Sequence, residues 1–338
     1  MEKQQKPRPK RRRTLSVEEY VQGVLSRDRA VMSRAITLIE SNAPKHFDKA
    51  QEVLKRLMPY TGKALRAGIS GVPGAGKSTL IERFGTMLCE KGHQLAVLAV
   101  DPSSSVSKGS ILGDKTRMET LSKHPNAYVR PSPSGGALGG VARKSRETML
   151  ICEAAGYDVI FVETVGVGQS EWTVRSMVDF FLVLMLTGGG DELQGMKKGI
   201  MEMADAIYIN KADGNNKQKA RNTRAEYRRL LHFLQPATPG WKTKVDTISA
   251  LTGEGMDELW DVMTEYEANM KASGILEKRR KDQLAEWMET LIEDELKRSF
   301  YENDDVKQQL PVLKNDVTAG NRPLAQAVKQ LMEAYQQK

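Results

Sequence analysis

The chain has 338 residues, 40% of them apolar and 28% charged, which is enough for one large core or two domains and excludes global disorder. The formal net charge of +8 is uneven, because Lys3, Lys6, Arg8, Lys10, Arg11, Arg12 and Arg13 face a single acid, Glu2, in the first 13 residues. The remainder is close to neutral, so a nucleic-acid role would rest on that tail alone, and a solvated disordered arm accounts for it.

The longest uninterrupted apolar run is Phe180–Leu186, far short of the roughly 20 residues of a membrane-spanning helix. No apolar stretch follows the basic tail, so no secretory signal is expected, and its two prolines and one acid do not fit a mitochondrial transit peptide. Cys89 and Cys152 lie far apart, and the four histidines are scattered. Two buried free thiols in a reducing cytoplasm are expected, and no zinc site.

In chain order, residues 14–60 read as helices. Ser16 can cap a first turn carrying Glu18 and Glu19, and apolar residues recur at helical spacing through Val21, Val24 and Leu25, then Ile36, Leu38 and Ile39. Pro44 interrupts, and the pattern resumes from Phe47 to Met58. From Leu65 short apolar runs alternate with amphipathic stretches. The runs are Leu65–Ser70, Leu95–Asp101, Ala127–Arg130, Asp158–Glu163, Phe180–Leu186, Ala206–Asn210 and Val245–Ser249. Ser78–Glu90, Ala142–Ala155, Asn216–Leu234 and Met256–Met270 have helical spacing between them. Strand and helix in series predict an α/β fold with a mostly parallel sheet covered on both faces. After about residue 275 the strands stop, and Leu276–Tyr301 and Pro323–Tyr335 read as helices.

The first chemical motif is Gly71-Val72-Pro73-Gly74-Ala75-Gly76-Lys77-Ser78-Thr79, a G-x-x-x-x-G-K-[ST] phosphate loop between a strand and a helix. Gly71, Gly74, Ala75, Gly76 and Thr79 shape a cradle of backbone N–H groups. Lys77 reaches the β and γ phosphates, and Ser78 is a Mg²⁺ ligand. The second is Asn210-Lys211-Ala212-Asp213 at a strand end, an N-K-x-D element. The Asp213 carboxylate can accept two hydrogen bonds from guanine, a donor pair adenine lacks, and a buried Asp left unpaired discriminates strongly. Asn210 braces the loop, and the Lys211 stem packs on the base. Ser249-Ala250-Leu251 follows the next strand and can offer a backbone N–H to guanine O6. Together these elements select GTP, with GDP as product.

Glu163-Thr164-Val165-Gly166-Val167-Gly168-Gln169 follows another strand. Glu163 can hold Mg²⁺ directly or through water, and Gly166 can present its N–H to the γ-phosphate. Many GTPases carry a water-orienting Gln after that glycine, and Val167 cannot serve. Slow intrinsic hydrolysis, raised by a partner or by a group from elsewhere, is therefore expected. Asp101 ends the run Leu95–Val100, which the expected winding places beside the phosphate-loop strand, and Asp114 lies in a Gly/Ser-rich stretch. Asp101, Asp114, Glu163 and Ser78 make an oxygen set suited to Mg²⁺. Arg117 is either a phosphate contact or a surface helix residue. Gly188–Lys198 is either a loop that moves with nucleotide state or an ordinary connection.

These residues, with Arg130–Gly140 and Asp191–Lys198, make the chain resemble the SIMIBI-class P-loop GTPases, in particular the MeaB/ArgK group that includes the methylmalonic aciduria type A protein. The resemblance covers nearly all of the chain outside the basic tail. It implies a GTPase chaperone that gates adenosylcobalamin loading, protection or reactivation of a cobalamin-dependent acyl-CoA mutase, chiefly methylmalonyl-CoA mutase. The cobalamin belongs to the partner. Carried over by position, Lys77, Asp101, Glu163 and Gly166 form the catalytic set, and Asp191, Gln194 and Lys197 belong to a switch loop that couples nucleotide state to the mutase. The group is typically homodimeric through its C-terminal helices. Lys108, Thr187 and Gly189 depart from the group's usual Gly, Pro and Ala.

The expected organisation is a disordered tail at 1–13, a helical arm at 14–62, a GTPase domain at 63–272 and a helical dimerisation extension at 273–338. A signal-recognition-type targeting GTPase shares the helical arm, but it would need a Met-rich domain, and the 16 methionines here are dispersed. A nucleotide-dependent binding switch for another client is the other alternative.

Overall fold

The structure is a computed structural model that describes residues 13–41, 43–100, 118–131, 138–164, 170–188 and 199–336. The chain divides into two compact units, the first ending at Lys278 and the second beginning at Arg279.

The first unit opens with three helices, α1 (Val17–Leu25), α2 (Arg29–Ile39) and α3 (Pro44–Leu57). Ser16 and Glu19 form a reciprocal capping box on α1, which satisfies two of the N–H groups a helix start leaves unpaired. Pro44 opens α3 rather than interrupting it: at the first helical position its missing N–H costs nothing.

Seven strands follow: β1 (Leu65–Gly71), β2 (Leu95–Val100), β3 (Ala127–Arg130), β4 (Val159–Thr164), β5 (Phe180–Met185), β6 (Ala206–Ile209) and β7 (Lys244–Thr247). They form one sheet in the order β3-β2-β4-β1-β5-β6-β7, and every pairing is parallel. One expectation is corrected here. β2 does not lie beside β1, because β4 pairs with both and separates them. The carboxylate on the strand next to the phosphate loop is therefore Glu163, not Asp101.

Alternate residues of each strand enter two cores, as the period of a strand dictates. Leu98, Val100, Ile160, Val162, Phe181, Val183 and Ile207 face one side. That side is covered by α1–α3, α6 (Leu138–Ala154), α7 (Ser170–Arg175) and α8 (Lys217–Leu231). Ile69, Val97, Phe161, Leu182, Leu184 and Tyr208 face the other side. There they meet α4 (Lys77–Glu90), α5 (Glu119–Lys123) and α9 (Met256–Ala272). Both cysteines are buried and free, Cys89 on α4 and Cys152 on α6.

The three N-terminal helices are part of this core. Met32, Ala35 and Ile36 of α2 are fully buried in the same cluster as Cys152 and Tyr157. Arg27 adopts a left-handed backbone (φ 59°) and donates to the carbonyls of Ala155 and Gly156 from 2.9 and 3.1 Å. A buried bidentate pair, Arg66 with Glu153, ties β1 to α6 at 2.8 and 2.9 Å.

α10 (Ile275–Glu302) leads into the second unit, which also holds α11 (Asp304–Thr318) and α12 (Leu324–Gln336). Sequence spacing did not separate α11. Its start is a side-chain cap, with Asn303 accepting from the N–H groups of Asp305 and Val306. Val306, Leu313, Ala327 and Leu331 form the small core of α11 on α12.

Candidate nucleotide-binding site

All seven strands are parallel, so their C-terminal ends lie along one edge of the sheet. β2, β3 and β4 lie on one side of β1, and β5, β6 and β7 on the other. In an open α/β sheet the crevice at such a reversal is where ligands bind. The end of β1, the end of β4 and the segments after β6 and β7 meet at this edge.

The loop after β1 is shaped by glycines that nothing else could replace. Gly71 has φ 150°, and a Cβ there would sit 2.3 Å from the Leu184 carbonyl oxygen of β5. Gly76 has φ 87°, and a Cβ would meet the Asn210 side-chain nitrogen at 2.6 Å. α4 starts immediately after, so its unpaired N–H groups and positive dipole end face the loop. Lys77 is the first residue of that helix, and its ammonium donates to the Gly71 carbonyl at 2.8 Å. Partial burial holds its pKa below the ordinary lysine range, while the charges of Glu163 and Glu171 oppose that shift. An ammonium folded over its own loop in this way lies where it can meet an incoming phosphate.

The Ser78 hydroxyl donates to Glu163 at 3.1 Å, and Glu163 is 4% exposed at the end of β4. This hydroxyl and carboxylate, beside a phosphate cradle, are hard oxygen donors of the kind Mg²⁺ takes. The donor set fits that ion, with bound phosphate and water completing its shell. Among the described residues no group of three His, Cys, Asp or Glu side chains comes together as a metal site. Asp101, Asp114, Arg117, Gly166, Val167, Asp191, Gln194 and Lys197 lie outside the described residues.

The predicted base-reading elements do come together. Asn210 is fully buried and braces two loops at once: its amide donates to the Ala75 carbonyl at 2.7 Å, and its oxygen accepts from the Ala250 N–H at 3.0 Å. The phosphate loop and the segment after β7 are thereby fixed to the segment after β6. Lys211 has a left-handed backbone (φ 58°) and an exposed side chain. The Asp213 carboxylate accepts from the Ser249 hydroxyl at 2.5 Å, which leaves lone pairs for a ligand. Ser249 also accepts from the Thr252 N–H, which closes the turn that presents Ala250 and the exposed Leu251.

Sequence reasoning missed two residues here. Arg83 of α4 donates to the Thr252 carbonyl at 3.0 Å and so joins the phosphate helix to the base loop. Glu171, buried at the start of α7, contributes to the field at Lys77. No motif spacing marks Arg83. Glu171 lies two residues beyond the Glu163–Gln169 motif, and no motif spacing marks it either.

A family model described as methylmalonyl Co-A mutase-associated GTPase MeaB matches residues 32–305. The chain belongs to the MeaB family of GTPases. GTPase ArgK of Escherichia coli is 44% identical over 95% of this chain and 98% of its own length. The mitochondrial methylmalonic aciduria type A homolog of Mus musculus is 46% identical over 94% of this chain and 79% of its own. A solved structure described as LAO/AO transport system kinase superposes with a TM-score of 0.74 at 37% identity, covering 94% of this chain and 97% of that one. As a MeaB-family member the protein is a GTP-hydrolysing enzyme that binds GTP and GDP on a P-loop fold. Among its described residues no helix is long and apolar enough to cross a membrane.

Proposed function

We propose that this GTPase is a chaperone of a cobalamin-dependent acyl-CoA mutase, most specifically methylmalonyl-CoA mutase, and that its nucleotide cycle gates adenosylcobalamin loading, protection or reactivation. The observation that carries the proposal is membership of a family described as mutase-associated, supported by a mouse relative named for methylmalonic aciduria. The cobalamin is the partner's.

Catalysis in this reading is positioning plus electrostatics. Lys77 and the N–H groups of Gly74, Ala75 and Gly76 bind the phosphates, and Ser78 with Glu163 holds Mg²⁺, assisted by Asp101 and Asp114. Mg²⁺ would supply neutralisation of phosphate charge. Gly166 offers its N–H to the γ-phosphate. Asn210, Lys211 and Asp213 read guanine, with Ser249, Ala250 and Leu251 on its far edge. With Val167 in place of a water-orienting Gln, intrinsic hydrolysis is slow, and the partner accelerates it through the segment holding Asp191, Gln194 and Lys197.

The C-terminal helices are assigned to homodimerisation. Leu284, Met288, Ile292 and Leu296 recur every four residues on α10, and all four are exposed. A stripe of that kind marks an interaction surface. The two buried thiols suit the reducing cytoplasm.

The test is GTP hydrolysis by the purified protein, alone and with the mutase, with Lys77→Ala as the blank. Slow turnover accelerated by the mutase supports the chaperone. Turnover indifferent to the mutase removes the named partner and leaves a GTPase for another client.

A further inference from the structure

Lys211 and Arg27 are the two non-glycine residues with a left-handed backbone among the described residues. Arg27 is held by its own side chain, as described above. Lys211 is held from outside. Its carbonyl accepts a hydrogen bond from the side-chain amide of Asn216 at 2.8 Å. The Asn216 N–H donates to the Asp213 carbonyl at 3.0 Å. One residue therefore grips the base loop on both sides of Ala212, and the second grip is on the backbone of Asp213 itself.

Asn216 immediately precedes α8, and its backbone is already helical (φ −86°, ψ −11°), not in the extended conformation from which an Asn side chain caps a first turn. Here the side chain makes no capping hydrogen bond. It turns back to the loop instead.

The orientation of that amide follows from its neighbours. A carbonyl only accepts, so the nitrogen must face Lys211 and the oxygen must face away. That oxygen accepts from the Thr187 hydroxyl at 2.9 Å. Thr187 follows the end of β5, the strand beside β1. A hydroxyl can donate or accept, so the Lys211 carbonyl fixes the flip of the amide and the Thr187 hydroxyl, donating to the oxygen left over, anchors it.

We propose that Asn216 is a positioning residue for base recognition: its amide, anchored by the Thr187 hydroxyl, holds Lys211 in its left-handed conformation and thereby sets the Asp213 carboxylate against guanine. The assignment rests on the reading of Asp213 as the guanine acceptor given above. The ligand edge concerned is the N1–H and 2-amino pair. Inosine nucleotides keep the first and lack the second, so they report how well Asp213 is placed.

The experiment is calorimetric titration of the full chain with GDP and with IDP. Asn216→Ala is expected to weaken GDP about fivefold, the order of one hydrogen bond between groups that are not fully buried, and IDP only about twofold. The GDP preference over IDP therefore shrinks. Thr187→Val is expected to shift the ratio in the same direction by a smaller factor, and Thr187→Ser to keep it at the starting value. A loss that was only structural would lower the melting temperature and weaken both nucleotides equally. Unchanged GDP-to-IDP ratios in both Asn216→Ala and Thr187→Val overturn the proposal, and if Asn216→Ala does not fold, Thr187→Val alone decides it. Asp213→Asn separates the two levels. If it leaves the ratio intact, the guanine reading itself fails. If it collapses the ratio while Asn216→Ala does not, only the positioning role fails.

Discussion

Replacing Asn210 by Ala tests the central joint of the site. The side chain is fully buried and makes two hydrogen bonds, to the Ala75 carbonyl and from the Ala250 N–H. Both partners belong to buried residues, at 0% and 5% exposure. Alanine leaves both backbone groups without their partner, and an orphaned buried polar group costs about 1–3 kcal/mol. The sum is about 2–4 kcal/mol once some relaxation of the loops is allowed, a large part of the stability of an ordinary domain. For a domain of this size it corresponds to a fall of roughly 5–15 °C in melting temperature. Denaturation of the nucleotide-free protein by urea, followed by far-UV circular dichroism, measures it. Affinity for GDP should fall as well, because the phosphate loop and the Ala250 turn lose their common brace. Asn210→Asp should not rescue either property, since it sets a carboxylate oxygen against the Ala75 carbonyl. A loss of stability below about 1 kcal/mol with GDP affinity unchanged would refute the reasoning.

Gly76→Ala should cut GTP affinity sharply and cost about 1–3 kcal/mol, because a Cβ would collide with the Asn210 amide in a left-handed conformation; equilibrium dialysis with GTP checks it, and ordinary affinity would count against the close approach. Burial raises the Cys89 thiol to about 11. An acid whose folded pKa is raised stabilises the fold below its unfolded value and loses that contribution as pH climbs to the folded one, so stability should fall between about pH 9 and 11, and Cys89→Ala should flatten that part of the curve in urea titrations. Below that window Cys89 should react with a disulfide reagent only on unfolding. Met288→Glu with Ile292→Glu should convert the proposed dimer to monomer in light scattering, and an unchanged mass would place the interface elsewhere.

Much of this molecule was legible before its structure. Central strands such as Leu95–Val100 and Phe180–Met185 are short, pure apolar runs, and a strand of that kind, buried on both faces, has no other place to go. That the segments after β1, β6 and β7 belong together was legible, because the motifs they resemble fix residue type and spacing together, and the structure joins the three through Asn210. Strand order was not. That β4 rather than β2 flanks β1 depends on which strand satisfies the backbone of β1, and strands as alike as Leu95–Val100 and Val159–Thr164 carry no mark of it. α11 was hidden for a different reason: it contains Pro311 and a diluted apolar pattern, and its start depends on a cap by Asn303. Arg83, Asn216 and Thr187 were invisible as site residues because each acts on a backbone carbonyl or a side chain brought near by the fold. Such partners leave no periodic signature.

The burial of α2 has a consequence for how this enzyme can be cut. A fragment starting at the phosphate-loop strand would hold every nucleotide motif, yet it would bare the wall that Met32, Ala35 and Ile36 now cover, including Cys152, Tyr157 and the outer side of α6. The smallest working piece is therefore set by hydrophobic cover and not by catalytic motifs. Trimming toward a minimal GTPase would yield an aggregating protein with an intact active-site sequence.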